Sequence, residues 1–267
     1  MKTLLLLTTS FPFGAGEEFL AAELKHVSGF DRVLVVPCSR KPDAVQTKHL
    51  PEGVSCVRLS RVPLGRSAYL RIFCRPCVLA ELFRLLRQGR LRPGRAHELL
   101  YFMKNTEEIF SALKNAVSFS PRESVVIYSY WLYEAAAAGV MLADYLRKKG
   151  VSVHQISRAH RFDLYEEQTK TGYLPMRAYL FRHIERIFAC SEDGARTLRR
   201  QAGREAGKIR CAYLGTKDLG PGLPGRGPFH LVSCSYLVPV KRLDRLIDAL
   251  MKADFPVVWT HIGSGPL

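Results

Sequence analysis

The sequence predicts an α/β protein built on a doubly wound, Rossmann-like parallel sheet. Three observations predict it. Short runs of Val, Ile and Leu recur without clean alternation of polar and apolar residues. Helical patterns separate them. A segment dense in glycine and proline (220–228) then ends one strand–helix series, and a second series begins after it. Strands covered on both faces read as continuous apolar runs, as in parallel sheets. Regular alternation of strand and helix places the helices over those faces.

The expected strands, in order, are residues 3–8, 32–36, 54–59, 124–129, 152–157, 186–190 and 208–214. Residues 17–26 open on two acids, which suit the positive end of a helix. Residues 133–149 carry an alanine-rich apolar stripe and stop at Gly150, a favourable residue just past a helix end. Pro175 is suited to the first turn of a helix over 175–184. Ser191 is a natural N-cap for a helix over 192–202. Beyond the linker, 230–235, 241–252 and 256–262 read as strand, helix and strand, one βαβ unit. The expected organisation is an N-terminal domain over 1–219, a linker over 220–228 and the start of a second domain over 229–267. One βαβ unit does not cover its own sheet, so the second domain is expected to be incomplete in this chain.

The 267 residues exceed one average domain of about 100–200 residues. A hydrophobic share of 47% beside 24% charged residues is an ordinary globular balance, which excludes a disordered or fibrous chain. The formal net charge of +16 attracts polyanions. Ten arginines crowd residues 58–95, with Glu81 the one acid among them. Two readings stand: a solvated basic face, or a patch facing a membrane or polyanion. Its aromatics (Tyr69, Phe73, Phe83) have helical spacing rather than that of a stacking platform, which disfavours single-stranded nucleic acid. Seven scattered cysteines include one Cys74-x-x-Cys77 pair with no second pair or histidines at zinc spacing, so they read as structural. The apolar start 4–7 leads into no small-residue cleavage site and reads as a buried strand. No run reaches the roughly 20 residues of a membrane span. A cytoplasmic protein is expected, with the inner membrane face as a peripheral contact.

Ligands of open α/β sheets bind beyond the carboxyl ends of the strands. Behind the first strand, Gly14 and Gly16 permit close backbone approach to a ligand, and the following helix offers free N–H groups to a phosphate. The segment lacks the GxGxxG dinucleotide fingerprint, which counts against a dehydrogenase. Trp131 follows the fourth strand, where an aromatic either stacks on a sugar or simply packs. His160 and Asp163 follow the fifth strand with Arg158 and Arg161 beside them, in the densest polar stretch of the chain. Lys241 and Arg242 sit where a helix is expected to begin; a cation there opposes the dipole unless an anion binds.

Taken in order, these segments resemble the GT4 family of GT-B glycosyltransferases. SFPFGAGEEFL (10–20) is similar to its N-terminal glycine loop, and SRAHRFDLYE (157–166) to its histidine segment. IFACSE (187–192) and AYLGT (212–216) resemble its last N-domain strands. VSCSYLVPVKRLD (232–244) resembles the opening of its donor domain, and HIGSGP (261–266) its GxGP turn. The resemblance implies a GT-B fold and transfer of a sugar from a nucleotide-sugar donor to a glycan or lipid-linked acceptor, with retained anomeric configuration. It places Gly14 and Gly16 near the donor diphosphate, His160 at the reaction centre, and Lys241 with Arg242 on the leaving phosphates. Glu18, Trp131 and Asp163 are expected in the acceptor or sugar cleft. No metal and no cofactor are implied, because basic side chains and helix ends neutralise the leaving group. Two departures stand out. Ser235-Tyr236 replaces the family's Gly-Arg, which removes a phosphate-binding cation. The family's carboxylate pair would fall after Leu267, so this exact chain is expected to be an inactive fragment. The alternative is a non-catalytic basic module that binds anionic membrane or polyanion.

Overall fold

The computed structural model describes residues 1–14, 16–39, 45–216, 218, 220–222, 225 and 227–267. The chain divides into two compact units, Met1–Lys217 and Asp218–Leu267. Leu223, Pro224 and Arg226 of the expected linker lie outside the described residues.

In the first unit, β1 (Lys2–Thr8) is followed by α1 (Phe19–Glu23), β2 (Arg32–Pro37), β3 (Val54–Cys56), α2 (Ser67–Phe73), α3 (Pro76–Arg87) and α4 (Pro93–Ala116). Then come β4 (Ser124–Ser129), α5 (Glu134–Lys148), β5 (Ser152–Ala159), α6 (Arg177–His183), β6 (Arg186–Ala189), α7 (Glu192–Ala202) and β7 (Ile209–Cys211). The seven strands form one sheet in the order β3-β2-β1-β4-β5-β6-β7, and every pairing is parallel. Strand order reverses between β1 and β4, which opens a crevice at their carboxyl ends. The architecture is Rossmann-like, of the GT-B type.

Both faces of the sheet are covered, which explains the unbroken apolar runs of β1 and β2. Leu5, Leu7, Leu34, Val36, Val125 and Ile127 pack on α4 and α5. Leu4, Leu6, Val33 and Val35 pack on Leu20 of α1 and on Leu24 in the 3-10 turn that follows it. Ser191 caps α7 by accepting from Gly194 N–H at 3.1 Å.

Several boundaries differ from the sequence reading. α1 starts at Phe19 rather than 17, because Glu17 lies at φ 56 with its side chain turned inward. α6 starts at Arg177, after Met176 at φ 59, so Pro175 precedes the helix. The sequence reading assigned no helix to α4. Its residues Lys104, Asn105, Thr106, Glu107 and Glu108 are all buried, so it lacks the one-sided apolar stripe that reveals a surface helix.

These buried acids also revise the picture of the arginine stretch. Arg61 pairs with Glu108 at 3.2 Å, Arg71 and Arg75 with Glu107 at 3.2 and 2.6 Å, Arg84 with Glu81 at 2.6 Å, and Arg90 with Glu166 at 2.6 Å. Much of the stretch is therefore neither a solvated face nor a free basic patch; it holds the helical layer together. Burial pushes the Cys38 thiol up to about 12, and no cysteine cluster suited to a metal occurs among the described residues.

In the second unit, β8 (Phe229–Cys234) pairs in parallel with β9 (Val257–Ile262), and α8 (Leu243–Leu250) connects them. Lys241 ends a 3-10 turn, Pro239–Lys241, and Arg242 stands at φ 52 before α8, so neither lies in the first turn of the helix as expected. A Cβ at Gly263 would collide with the Ser235 carbonyl, and one at Gly265 with that of Leu237. These glycines let the turns after β8 and β9 run side by side, joined by Leu237 N–H to Ser264 O at 3.0 Å. No described residue of this unit is buried. Among the described residues, no helix is long and apolar enough to cross a membrane.

Candidate functional site

The candidate site lies at the carboxyl ends of β1, β4 and β5, beside the reversal of strand order. Its first wall is the loop after β1. Gly14 and Gly16 have φ 64 and 94, and a Cβ at either would meet nothing. Backbone conformation, rather than space, therefore demands glycine at both positions. The loop is tied to residues 46–48: Thr47 Oγ1 and Lys48 Nζ donate to Gly14 O at 2.6 and 2.7 Å. Glu18 is at the outer edge, its side chain 62% exposed, and accepts from Gly16 N–H at 2.8 Å. Slight burial pushes its pKa up, but its own and the Gly16 N–H, with Lys48, outweigh that and hold the carboxyl below its usual value.

Glu17, not its neighbour, organises this loop. Its buried carboxylate accepts from Thr9, Ser10 and Phe11 N–H at 2.9, 2.8 and 2.8 Å. It also accepts from Trp131 Nε1 at 2.7 Å. One side chain thus ties the loop after β1 to the residue two places past β4.

Trp131 in turn packs on His160, ring centres 4.3 Å apart, and on Phe162 at 4.9 Å. Phe19 and Tyr130 complete an aromatic cage around the imidazole, at 5.7 and 5.1 Å. Both ring nitrogens of His160 are buried and neither has a hydrogen-bond partner among the described residues. Burial and the nearby Arg158 guanidinium lower its pKa to about 4. A neutral imidazole with one donor and one acceptor is therefore held uncompensated at a strand end, at a cost of about 1–3 kcal/mol per unpaired group.

Asp163 is fully buried, so its carboxylate is enclosed by protein rather than open to solvent as a cleft residue would be. Its oxygens accept from His160 N–H at 2.6 Å and Leu132 N–H at 2.5 Å, which fixes the loops after β5 and β4 against each other. Burial pushes its carboxyl up to about 7, against the pull of Arg177 and the backbone donors. Arg177, also fully enclosed, donates to the Asp163 backbone carbonyl. On the other side of His160, Glu23 accepts from Tyr128 and Tyr130 hydroxyls at 2.8 and 2.9 Å. Arg158 Nε donates to Tyr128 Oη at 2.8 Å, and its Nη1 to Ala212 O at 2.7 Å.

The structure thus brings Gly14, Gly16, Trp131, His160 and Asp163 into one connected region. Lys241 and Arg242 belong to the second unit. There Lys241 is exposed, and Arg242 forks onto Asp244 at 2.8 Å. Glu17, Phe19, Glu23, Tyr128, Arg158 and Arg177 are the supporting residues that sequence reasoning did not assign to the site. A separate cavity of about 420 Å³ lies between α3 and α6. Its Glu81 and Arg84 already satisfy each other at 2.6 Å.

The site makes a prediction that needs no ligand. The folded state resists protonation of His160, so its contribution is present above pH 6.5 and lost as pH falls towards 4. Relative to His160→Phe, wild type should lose about 3 kcal/mol of stability between pH 7 and pH 4. The shift in Asp163 acts in the opposite sense, lowering stability as pH rises from about 4 to 7, and it cancels in this comparison. At pH 7, His160→Phe should be the more stable by about 1 kcal/mol, because it removes unpaired polar atoms. Urea titrations at both pH values check this; a destabilised His160→Phe with unchanged pH dependence would refute it.

The sequence matches no protein-family model. It likewise finds no significant relative among curated proteins. Among solved structures it is similar to the catalytic domain of starch synthase IV from Arabidopsis thaliana bound to ADP and acarbose. The TM-score is 0.52 at 10% identity, over 99% of this chain and 69% of that one. Looser likenesses are to UDP-N-acetylglucosamine 2-epimerase from Rickettsia bellii (TM-score 0.38, 10% identity, 98% of this chain and 62% of that one) and from Methanocaldococcus jannaschii (0.37, 11%, 97% and 65%). The starch synthase likeness supports the GT-B type of fold; the epimerase likenesses are too loose to bear on it.

Proposed function

We propose that the protein transfers a sugar from a nucleotide-sugar donor to a glycan or lipid-linked acceptor, as a GT4-like, retaining glycosyltransferase of the cytoplasm. The observation that carries this reading is the unpartnered His160 imidazole inside its aromatic cage, at the reversal point of the sheet. A buried polar group without a partner calls for an explanation, and a ligand hydroxyl supplies one. The likeness to a starch synthase catalytic domain that binds ADP supports it further.

In this reading the Gly14–Gly16 backbone approaches the donor diphosphate. His160, neutral at physiological pH, exchanges hydrogen bonds with the transferred sugar as Phe162 and the adjoining loop give way. Trp131 and Phe162 offer apolar faces to the sugar ring, and Glu18 meets the acceptor at the outer edge. The bond from the anomeric carbon to the diphosphate breaks as one forms to an acceptor hydroxyl oxygen, whose proton passes to the departing phosphate, and negative charge collects on that diphosphate. Lys241 and Arg242 neutralise that charge, with Arg242 exchanging Asp244 for phosphate.

The alternative, a non-catalytic basic module, is disfavoured because Arg61, Arg71, Arg75, Arg84 and Arg90 are each paired with a carboxylate of the same unit. Only Trp131 and Trp259 fluoresce as tryptophans, so Trp259→Phe isolates the site. Titration with UDP-, ADP- and GDP-sugars should quench Trp131 with a Kd below about 1 mM for one of them. His160→Ala should weaken that binding at least tenfold. Silence of Trp131 towards every nucleotide sugar, or unchanged binding in His160→Ala, would overturn the proposal.

A further inference from the structure

Helix α3 carries more apolar surface than the fold covers. Val78 and Leu85 are buried in the core, and Leu82 packs partly against it. At 100° per residue, Leu79, Phe83 and Leu86 form a second stripe within an arc of about 60°. They are exposed by 45%, 60% and 60%. The preceding helix α2 adds Leu70 and Phe73, exposed by 74% and 44%. Five large apolar side chains in water on two consecutive helices are a concentration of the kind that marks an interaction surface.

Charge indicates the partner. Arg66 before α2, Arg87 in the last turn of α3 and Arg92 before α4 are all exposed. Arg87 stands over the Phe83 ring at 6.0 Å. Between residues 62 and 95 the sole acid is Glu81, which is buried and paired with Arg84. The surface is therefore apolar and cationic, with no exposed carboxylate in that segment. A second copy of the chain would bring the same arginines against themselves across a symmetric contact. An anionic bilayer suits both features: acyl chains accept the leucines and phenylalanines, and headgroup phosphates accept the arginines.

We propose that α2 and α3 dock the protein on an anionic phospholipid bilayer. Leu79, Phe83 and Leu86 enter the interface, while Arg66, Arg87 and Arg92 lie at headgroup level. This docking stands independently of the sugar-transfer reading, because none of these residues belongs to the His160 site.

Flotation of the full chain with vesicles tests it. The wild type should bind vesicles of three parts phosphatidylcholine to one part phosphatidylglycerol, and not pure phosphatidylcholine. The variant Leu79→Ser/Phe83→Ser/Leu86→Ser should bind at least tenfold more weakly. So should Arg66→Gln/Arg87→Gln/Arg92→Gln, since each basic residue near such a surface is worth about fivefold in affinity. Circular dichroism melting verifies folding, and Phe83→Ser alone serves where the triple variant does not fold. Wild type that ignores anionic vesicles would overturn the proposal. Undiminished binding by the folded apolar variant would do the same, as would a soluble dimer or a complex with an acidic protein that the serines abolish. Trp131 quenching by a nucleotide sugar reads out the other site separately.

Discussion

Glu17→Ala should cost the first unit about 3–5 kcal/mol and loosen the candidate site before any ligand is considered. The side chain satisfies five donors: the Thr9, Ser10 and Phe11 amides, the Trp131 indole and, at 3.4 Å, the Ser10 hydroxyl. Thr9 and Ser10 are open enough for water to replace the carboxylate, so their loss is modest. Phe11 is fully buried and the Trp131 donor is half-covered, so theirs is not. Glutamine is no remedy, because its amide would turn a donor towards other donors. Glycine discriminates further. Glu17 sits at φ 56, where a Cβ costs about 1–2 kcal/mol, so Glu17→Gly should be less harmful than Glu17→Ala by about 1 kcal/mol. Urea unfolding followed by Trp131 emission in the Trp259→Phe background measures all three. A loss below about 1 kcal/mol for Glu17→Ala would show that water replaces the carboxylate throughout.

The prominence of Glu17 also shows what the sequence could and could not reveal. The strands were legible because a sheet covered on both faces writes itself as unbroken Val, Ile and Leu runs, as in β1 and β2. Helices α5 and α7 were legible through an alanine stripe with Gly150 and through the Ser191 cap. Helix α4 was not, because five consecutive polar residues are buried among its apolar ones and their partners, Arg61, Arg71 and Arg75, lie far away in sequence. In the site, Gly14, Gly16, Trp131 and His160 stood out by following predicted strands. Glu17 and Glu18 read alike as two acids opening a helix, and the family resemblance assigned only Glu18 to the site. Only the positive φ after Gly16 turns the first inward and leaves the second exposed. Asp163 invited a place in the cleft because it stands three residues after His160, yet it turns beneath that residue to hold its amide. Arg177 carried no local signal at all; its role comes from a contact across 14 residues.

The side-chain carboxylate of Asp163, rather than that backbone contact, underlies the second large effect. Asp163→Ala should destabilise the first unit by about 3–5 kcal/mol, because it leaves two enclosed amides without an acceptor and a buried guanidinium without the nearby opposite charge. Two amides lose their acceptor, and both are enclosed: Leu132 N–H after β4 and His160 N–H after β5. Arg177 is fully enclosed, with Nε and Nη1 unpartnered, and burial already lowers its pKa to about 10 against the opposing pull of Asp163. Without Asp163 the guanidinium keeps only the backbone carbonyl it shares with that residue. Arg177→Met alone should be milder, because Asp163 keeps both backbone donors. The double variant Asp163→Ala/Arg177→Met should then be more stable than the sum of the single losses implies, by at least about 1 kcal/mol. Full additivity would mean that Asp163 acts through the two amides alone and that the buried arginine is indifferent to it. The position of His160 is read in the same experiment. With its amide released, the imidazole should shift from its place on Trp131, visible as a change in Trp131 emission in the folded variant. An unaltered spectrum would mean that the aromatic cage holds His160 without help from the carboxylate beneath it.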